Sequence, residues 1–269
     1  ENIARAKGEI FAGLTDAGIA VFNADSAHAG LWRELNARRC MLDFGLTPAA
    51  AIHGRYRPDG FGSMLTIALP NAEIEVELRV PGEHNVMNAL AAVAAAFALD
   101  VSHRSIVAGL AGFGGIKGRL QKKAALHGST FIDDTYNANP DSVRAALTVL
   151  AQQPGRKLLV LGDMGELGRD AAAMHAQIGL AARAAGVERL LVLGELTKET
   201  ASAFGAGAMH FERIQELLAE LENELAPDTT VLVKGSRFMQ MERVVKSFTE
   251  SPDGQAARAL MPSTGGQGH

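Results

Sequence analysis

Cysteine is nearly absent: Cys40 is the only one in 269 residues. That excludes an intramolecular disulfide framework and suits a reducing cytoplasm. Set in the apolar run CMLDF, Cys40 reads as a buried packing residue. Aromatic residues are scarce at 5%, whereas 47% of the chain is hydrophobic, an ordinary fraction for a soluble globular protein. No dense basic stripe occurs and the net charge is −4, which argues against a nucleic-acid surface. The adjacent Lys122 and Lys123 read as a solvated face. The longest apolar run, ALAAVAAAFAL (89–99), is about half the length a bilayer-spanning helix needs. No signal peptide stands out. An initiator Met is missing too, and the opening ENIARAKGEIF is already helical in pattern, so the chain reads as cut from a longer protein. Also lacking are a P-loop of the form G-x-x-x-x-G-K-[ST] and a His/Cys cluster with metal-ligand spacing. No metal ligand is therefore assigned.

What is present divides near residue 117. Before it, residues 1–14 read as the end of a helix, with Ile3, Ala6, Ile10 and Phe11 at helical spacing. Strands are expected at 18–23, 40–44, 62–69 and 73–80, the last two joined as a hairpin through Pro70-Asn71. A long buried helix follows in PGEHNVMNALAAVAAAFALD, then a shorter one capped by Ser102. After residue 117 strand and helix alternate. Strands are expected at 130–133, 157–161, 189–193, 208–211 and 230–233. Helices are expected at 141–152, 171–185, 197–204, 214–225 and 240–248. Alternation of this kind predicts a parallel sheet covered by helices on both faces. The fold class is thus α/β: an incomplete mixed domain (1–117), then a doubly wound domain (118–250). The tail 251–269 is expected to be disordered in part.

Five stretches carry polar groups beyond what their elements need. In IDDTYNANPDS, Asp133 and Asp134 fall at a strand's carboxyl end, where open α/β sheets bind ligands. Pro140 opens the next helix and Asn139 is its natural N-cap. Those roles leave Asp134, Tyr136 and Asn137 unexplained, although a bland turn stays open as an alternative. In GEHNVMNALAA, Asn85 and Asn88 share one helix face, and their amides suit an adenine edge; simple N-capping by Asn85 is the competing account. Arg119, in the KGR at the junction, could reach phosphates bidentately, with an ordinary surface arginine as the competing account. KLLVLGDMGELG has G-x-x-G-x-x-G spacing, not the dinucleotide G-x-G-x-x-G, and its acidic residues would repel a pyrophosphate. VLVKGSRFMQMERVV sets Lys234, Ser236 and Arg237 at a strand-to-helix turn that favours anions; a plain charged surface turn is the competing account.

Taken in order, ENIARAKGEIF, PGEHNVMNALAAVAAAFAL, GRLQ, IDDTYNANPDSVRAAL, LVLGDMGELG and VLVKGSRFMQMERVV resemble the murein peptide ligases. The likeness is strongest to members that add D-alanyl-D-alanine to UDP-N-acetylmuramoyl tripeptide in peptidoglycan synthesis. It implies the latter part of a central ATPase-type domain followed by a Rossmann-like C-terminal domain, with the P-loop and main magnesium ligands upstream. It also implies a cytoplasmic monomer using ATP and Mg2+, and amide formation through an acyl phosphate. On its own this stretch would be inactive. Residue by residue, Lys7 matches a lysine that is carbamylated in several such ligases. Asn85 and Asn88 match adenine-side asparagines, Arg119 a phosphate-reaching arginine, and Asp134 an aspartate near the ribose. Tyr136, Asn137 and Asn139 would line the cleft where the C-terminal domain closes over ATP, and Lys234, Ser236 and Arg237 would lie near the peptide substrate. A non-catalytic nucleotide-binding module is the alternative.

Overall fold

A computed structural model describes residues 2–15 and 17–249. The expected tail, 251–269, lies outside the described residues. The chain separates into two compact units, one up to Gly115 and one from Ile116.

The first unit begins with helix α1 (Asn2–Gly8) and a 3-10 turn (Glu9–Gly13). Then come β1 (Ile19–Asn23), α2 (Ala29–Leu35), β2 (Cys40–Gly45), β3 (Ile52–Asp59), β4 (Gly62–Leu69) and β5 (Ala72–Leu78). Helices α3 (Glu83–Ala98) and α4 (His103–Ala111) close the unit. The strands form one sheet in sequence order. β1, β2 and β3 are parallel, and β3–β4 and β4–β5 are antiparallel. Strand β4 alternates buried and half-buried residues, and β5 alternates buried and more exposed ones. Their apolar face (Leu65, Ile67, Val76, Leu78) packs with Val86, Leu90, Val93 and Ala94 of α3. Gly54 lets this helix approach, because a Cβ there would lie 2.8 Å from Leu90 Cδ2.

Strand β3 escaped the sequence pattern because Gly54, two arginines and Pro58 interrupt its alternation. Pro58 is tolerated near the strand's outer end, where it pairs with Ser63. Helix α2 also went unread. Cys40 corrects its expected burial: it is exposed. It is the first residue of β2 and pairs with the exposed Ile19, and burial deepens only toward Phe44 and Gly45.

The second unit runs β6 (Gln121–Ala124), β7 (Thr130–Asp134), α5 (Pro140–Ala151), β8 (Arg156–Gly162), α6 (Ala171–Ala184), β9 (Arg189–Leu193), α7 (Thr197–Phe204), β10 (Ala208–Phe211), α8 (Ile214–Glu224), β11 (Thr229–Lys234) and α9 (Glu242–Thr249). Its strand order is β10-β9-β8-β11-β7-β6, parallel except for the β6 edge. All six residues of β11 are buried, as expected for a central parallel strand covered on both faces. Phe131, Val160, Leu191 and Val231 face α8 and α9 through Leu217, Leu221, Val244 and Phe248. The edge strand β6 was missed because it is short and carries two lysines. Its Lys123 is not merely solvated: Nζ donates to the buried Asp133 at 2.7 Å.

The amino ends of the strands are tied by charge. Glu224, at the end of α8, accepts from Arg189 at 2.6 Å and pairs with Arg156; Arg189 also meets Glu220. Burial pushes the Glu224 carboxyl up, but hydrogen bonds and charge from Arg156, together with Arg189, outweigh it and hold the group below its ordinary value. A depressed folded-state pKa means the stabilisation is fully present above about pH 5 and is lost as pH falls through that pKa. Glu224→Gln is expected to cost on the order of 1 kcal/mol in urea unfolding at pH 7. The gap from wild type should shrink at pH 3; an equal gap at both pH values would contradict this account.

Candidate functional site

In the second unit the chain runs outward from β8 through β9 to β10, then returns to insert β11 between β8 and β7. Open α/β sheets gather ligands beyond the carboxyl ends of the strands where the order reverses in this way. Three loops emerge there: DDTYNAN after β7, GDMGELG after β8 and KGSR after β11.

A buried knot joins the three. Lys234 is the Cα partner of Asp134 across β11 and β7. Its Nζ donates to Asp134 Oδ2 at 2.6 Å and to the Asn137 carbonyl at 2.9 Å. Asp134 Oδ1 accepts the Leu120 N–H. Two residues on, the Ser236 Oγ accepts the Gly165 N–H at 2.7 Å and donates to the Ala138 carbonyl. The Ser236 N–H bonds to Asp163 O. The Asp163 carboxylate in turn accepts the Thr197 N–H at 2.9 Å. Gly194 permits this, since a Cβ there would sit 2.5 Å from that carboxylate, and its φ is +122°. Gly235 lets the β11 turn lie against Gly162: a Cβ would come 2.6 Å from Met241 Cγ.

His175 of α6 is a participant that sequence reasoning passed over. It is fully buried. Nε2 accepts the Met164 N–H at 3.0 Å, and Nδ1 lies 2.8 Å from the Ala171 carbonyl. A backbone N–H can only donate, so the ring is the neutral Nδ1–H tautomer. A lone histidine on a helical pattern gives no signal of this; the only hint was its proximity to GDMGELG.

The expected residues fall into three groups. Lys234 and Ser236, anticipated beside a substrate, are 2% and 4% exposed, and their polar atoms serve the loops. Asp134 is 8% exposed, with each oxygen engaged within the unit. These three position the site. Asn139 caps α5 in a reciprocal capping box with Ser142, and Asn137 Oδ1 accepts the Ala138 N–H. By contrast, Arg119, Tyr136 and Arg237 are exposed. The Arg119 guanidinium lies 4.4 Å from the Tyr136 ring centre, and Arg237 pairs with Glu242 at 3.0 Å.

In the first unit Lys7 and Asn88 are exposed, and Asn85 is half-buried. N-capping of α3 falls to Gly82 at φ +90°, not to Asn85, because Asn85 lies inside the first turn. Its Nδ2 instead donates to the Pro81 carbonyl at 2.7 Å. Alongside it, Glu83 accepts from Tyr56 OH at 2.8 Å, and burial, then Glu83, raises the Tyr56 pKa. Among the described residues no group of three His, Cys, Asp or Glu side chains is arranged to hold a metal, and no helix is long and apolar enough to cross a membrane.

The Mur ligase middle domain profile matches residues 1–96, and the profile described as "Mur ligase, glutamate ligase domain" matches residues 118–237. The chain belongs to the Mur ligase family. It is 38% identical over 256 residues to the UDP-N-acetylmuramoyl-tripeptide–D-alanyl-D-alanine ligase of Escherichia coli K12, which covers 93% of the chain and 56% of that protein. To the Bacillus subtilis ligase of the same name it is 32% identical, over 94% of the chain and 56% of the relative. A crystal structure of MurF from Acinetobacter baumannii superposes with a TM-score of 0.86 at 33% identity, covering 93% of this chain and 56% of that one. The chain thus spans about half the length of the curated Mur ligases it matches.

Breaking the knot should be costly. Removing one partner of a buried ion pair leaves the other charge stranded, so Lys234→Met is expected to destabilise the second unit by about 3–5 kcal/mol. Adding Asp134→Asn, which removes the stranded charge and keeps an acceptor for the Leu120 N–H, should recover more than half. Urea midpoints of the two variants decide it, and an unrecovered double variant would count against the knot.

Proposed function

We propose that this chain is the part of an ATP-dependent ligase that completes the UDP-N-acetylmuramoyl pentapeptide by adding D-alanyl-D-alanine to the tripeptide, a cytoplasmic step in peptidoglycan synthesis. The observation that carries the reading is the 38% identity over nearly the whole chain to a ligase so named, through both matched domains in order. We assign residues 1–117 to the latter part of the central ATP-binding domain and 118–250 to the C-terminal ligase domain.

ATP supplies the γ-phosphoryl group that turns the tripeptide carboxylate into an acyl phosphate, which the dipeptide amine then attacks. Such transfer rests on positioning and charge neutralisation more than on covalent chemistry by the protein. The residues fit that division. Asn88 presents an exposed amide, and Asn85 sits one turn earlier on α3; both are assigned to the adenine. Arg119 brings an exposed guanidinium to the phosphates. Asn137 and Asn139 form the nucleotide-facing rim of the DDTYNAN loop beside Tyr136, and Asp134 and Lys234 hold that loop in place. Ribose contact by Asp134 is secondary to that task. Arg237 is assigned to the peptide substrate, with Ser236 fixing the turn that carries it. Lys7 is assigned carbamylation, in which its neutral amine adds to CO2 and releases a proton, leaving a carboxylate-like carbamate. One such lysine does not by itself make a Mg2+ site.

The test is ADP release by the product of the complete reading frame, given ATP, Mg2+ and UDP-N-acetylmuramoyl tripeptide with or without D-alanyl-D-alanine. Release that requires both substrates is expected; release indifferent to the dipeptide would sink the assignment. In the same assay Arg119→Ala should lower kcat/KM for ATP by about tenfold to a hundredfold, the worth of charge-assisted hydrogen bonds to phosphate.

A further inference from the structure

We propose that Tyr136 is a positioning residue for Arg119: its ring racks the guanidinium so that the in-plane N–H edges stand ready for a polyphosphate. The proposal rests on the nucleotide reading above and deepens it.

The geometry is specific. Residues 118–120 are clasped to residues 134–136 by one backbone bond and one side-chain bond. The Tyr136 N–H donates to the Gly118 carbonyl at 3.0 Å, and the Leu120 N–H donates to the Asp134 carboxylate at 3.3 Å. Gly118 is at φ +73°, and a Cβ there would meet the Tyr136 nitrogen at 3.1 Å. Leu120 is held at φ +47° while 96% buried. A left-handed leucine is strained and persists only where its surroundings impose it. Here Leu120 is imposed by burial of its side chain and by Asp134, which Lys234 anchors in turn. Arg119, between the two positive-φ residues, lies over Tyr136.

The resulting contact holds the guanidinium against a ring at the surface. Arg119 is exposed and Tyr136 is 49% exposed, yet the guanidinium lies 4.4 Å from the ring centre. Among the described residues it has no carboxylate partner. Other arginines of this unit are tied down: Arg144 to Asp141, Arg213 to Glu216, Arg237 to Glu242. A stacked guanidinium is covered on one face but keeps its fork of donors free, which suits bidentate capture of phosphate oxygens. The ring also narrows the rotamers Arg119 samples before the ligand arrives, so less freedom is lost on binding.

Calorimetric titration of the product of the complete reading frame with inorganic tripolyphosphate, and separately with ADP, tests the idea without turnover, and a wild type that binds no tripolyphosphate would overturn it. Tyr136→Phe keeps the rack and should bind within about twofold of wild type, whereas Tyr136→Ala should weaken binding about fourfold, the worth of an exposed cation–π contact. In an Arg119→Ala background, Tyr136→Ala should change nothing further. Equal losses from Tyr136→Ala with and without Arg119 would overturn the proposal by making the tyrosine a direct contact, as would no loss at all. Arg119-dependent tripolyphosphate binding together with a failed D-alanyl-D-alanine assay would leave the rack standing and remove only the ligase reading.

Discussion

The buried ion pair between Lys234 and Asp134 is the constraint on which the C-terminal unit's working end depends. An ammonium and a carboxylate on neighbouring central strands are expensive to bury unless each also satisfies other groups. Here both do. The lysine holds the carbonyl of Asn137, and the aspartate holds the N–H of Leu120. From the distant strand β11, the pair therefore fixes two segments: the loop after β7 and the turn that enters β6. Through Leu120 it sets Arg119, and through the loop it sets Tyr136. Ser236 extends the same logic to the loop after β8.

This explains why the polar residues of DDTYNAN, GDMGELG and KGSR are so numerous. Three loops at a topological reversal need internal hydrogen bonds to hold one shape, because no regular element supplies them. Side chains from one loop satisfy the backbone of the next. What reaches solvent is a smaller set, chiefly Arg119, Tyr136, Asn137 and Asn139. The division between buried organisers and exposed contacts is what a preorganised electrostatic site requires.

The two ends of the same sheet have different characters. At the amino ends Glu224 bridges Arg156 and Arg189, a charge network that holds strands and α8 together. At the carboxyl ends the bonds run between loops, and the glycines at 118, 194 and 235 allow backbone approaches that a Cβ would block. The two networks thus occupy opposite edges of the sheet, and a substitution in one should leave the other largely intact.

Much of this protein was legible in its residues alone. Period-two and helical patterns located most strands and helices, because the side chains that face a core repeat with the geometry of the element. Asn139-Pro140 announced a capped helix, and the capping box is there. The motifs announced the family. Tertiary structure alone decided which polar residues work inside and which outside. Lys234 and Arg237 stand three positions apart, yet one is buried and the other exposed, because only Lys234 lies in the strand beside Asp134. Cys40 turned outward for the converse reason: it starts its strand at a sheet end that the core does not cover. Short elements such as β6 and Gly- and Pro-bearing β3 left no periodic trace. Pairing to neighbouring strands made them, and local sequence carries no record of a partner distant in the chain.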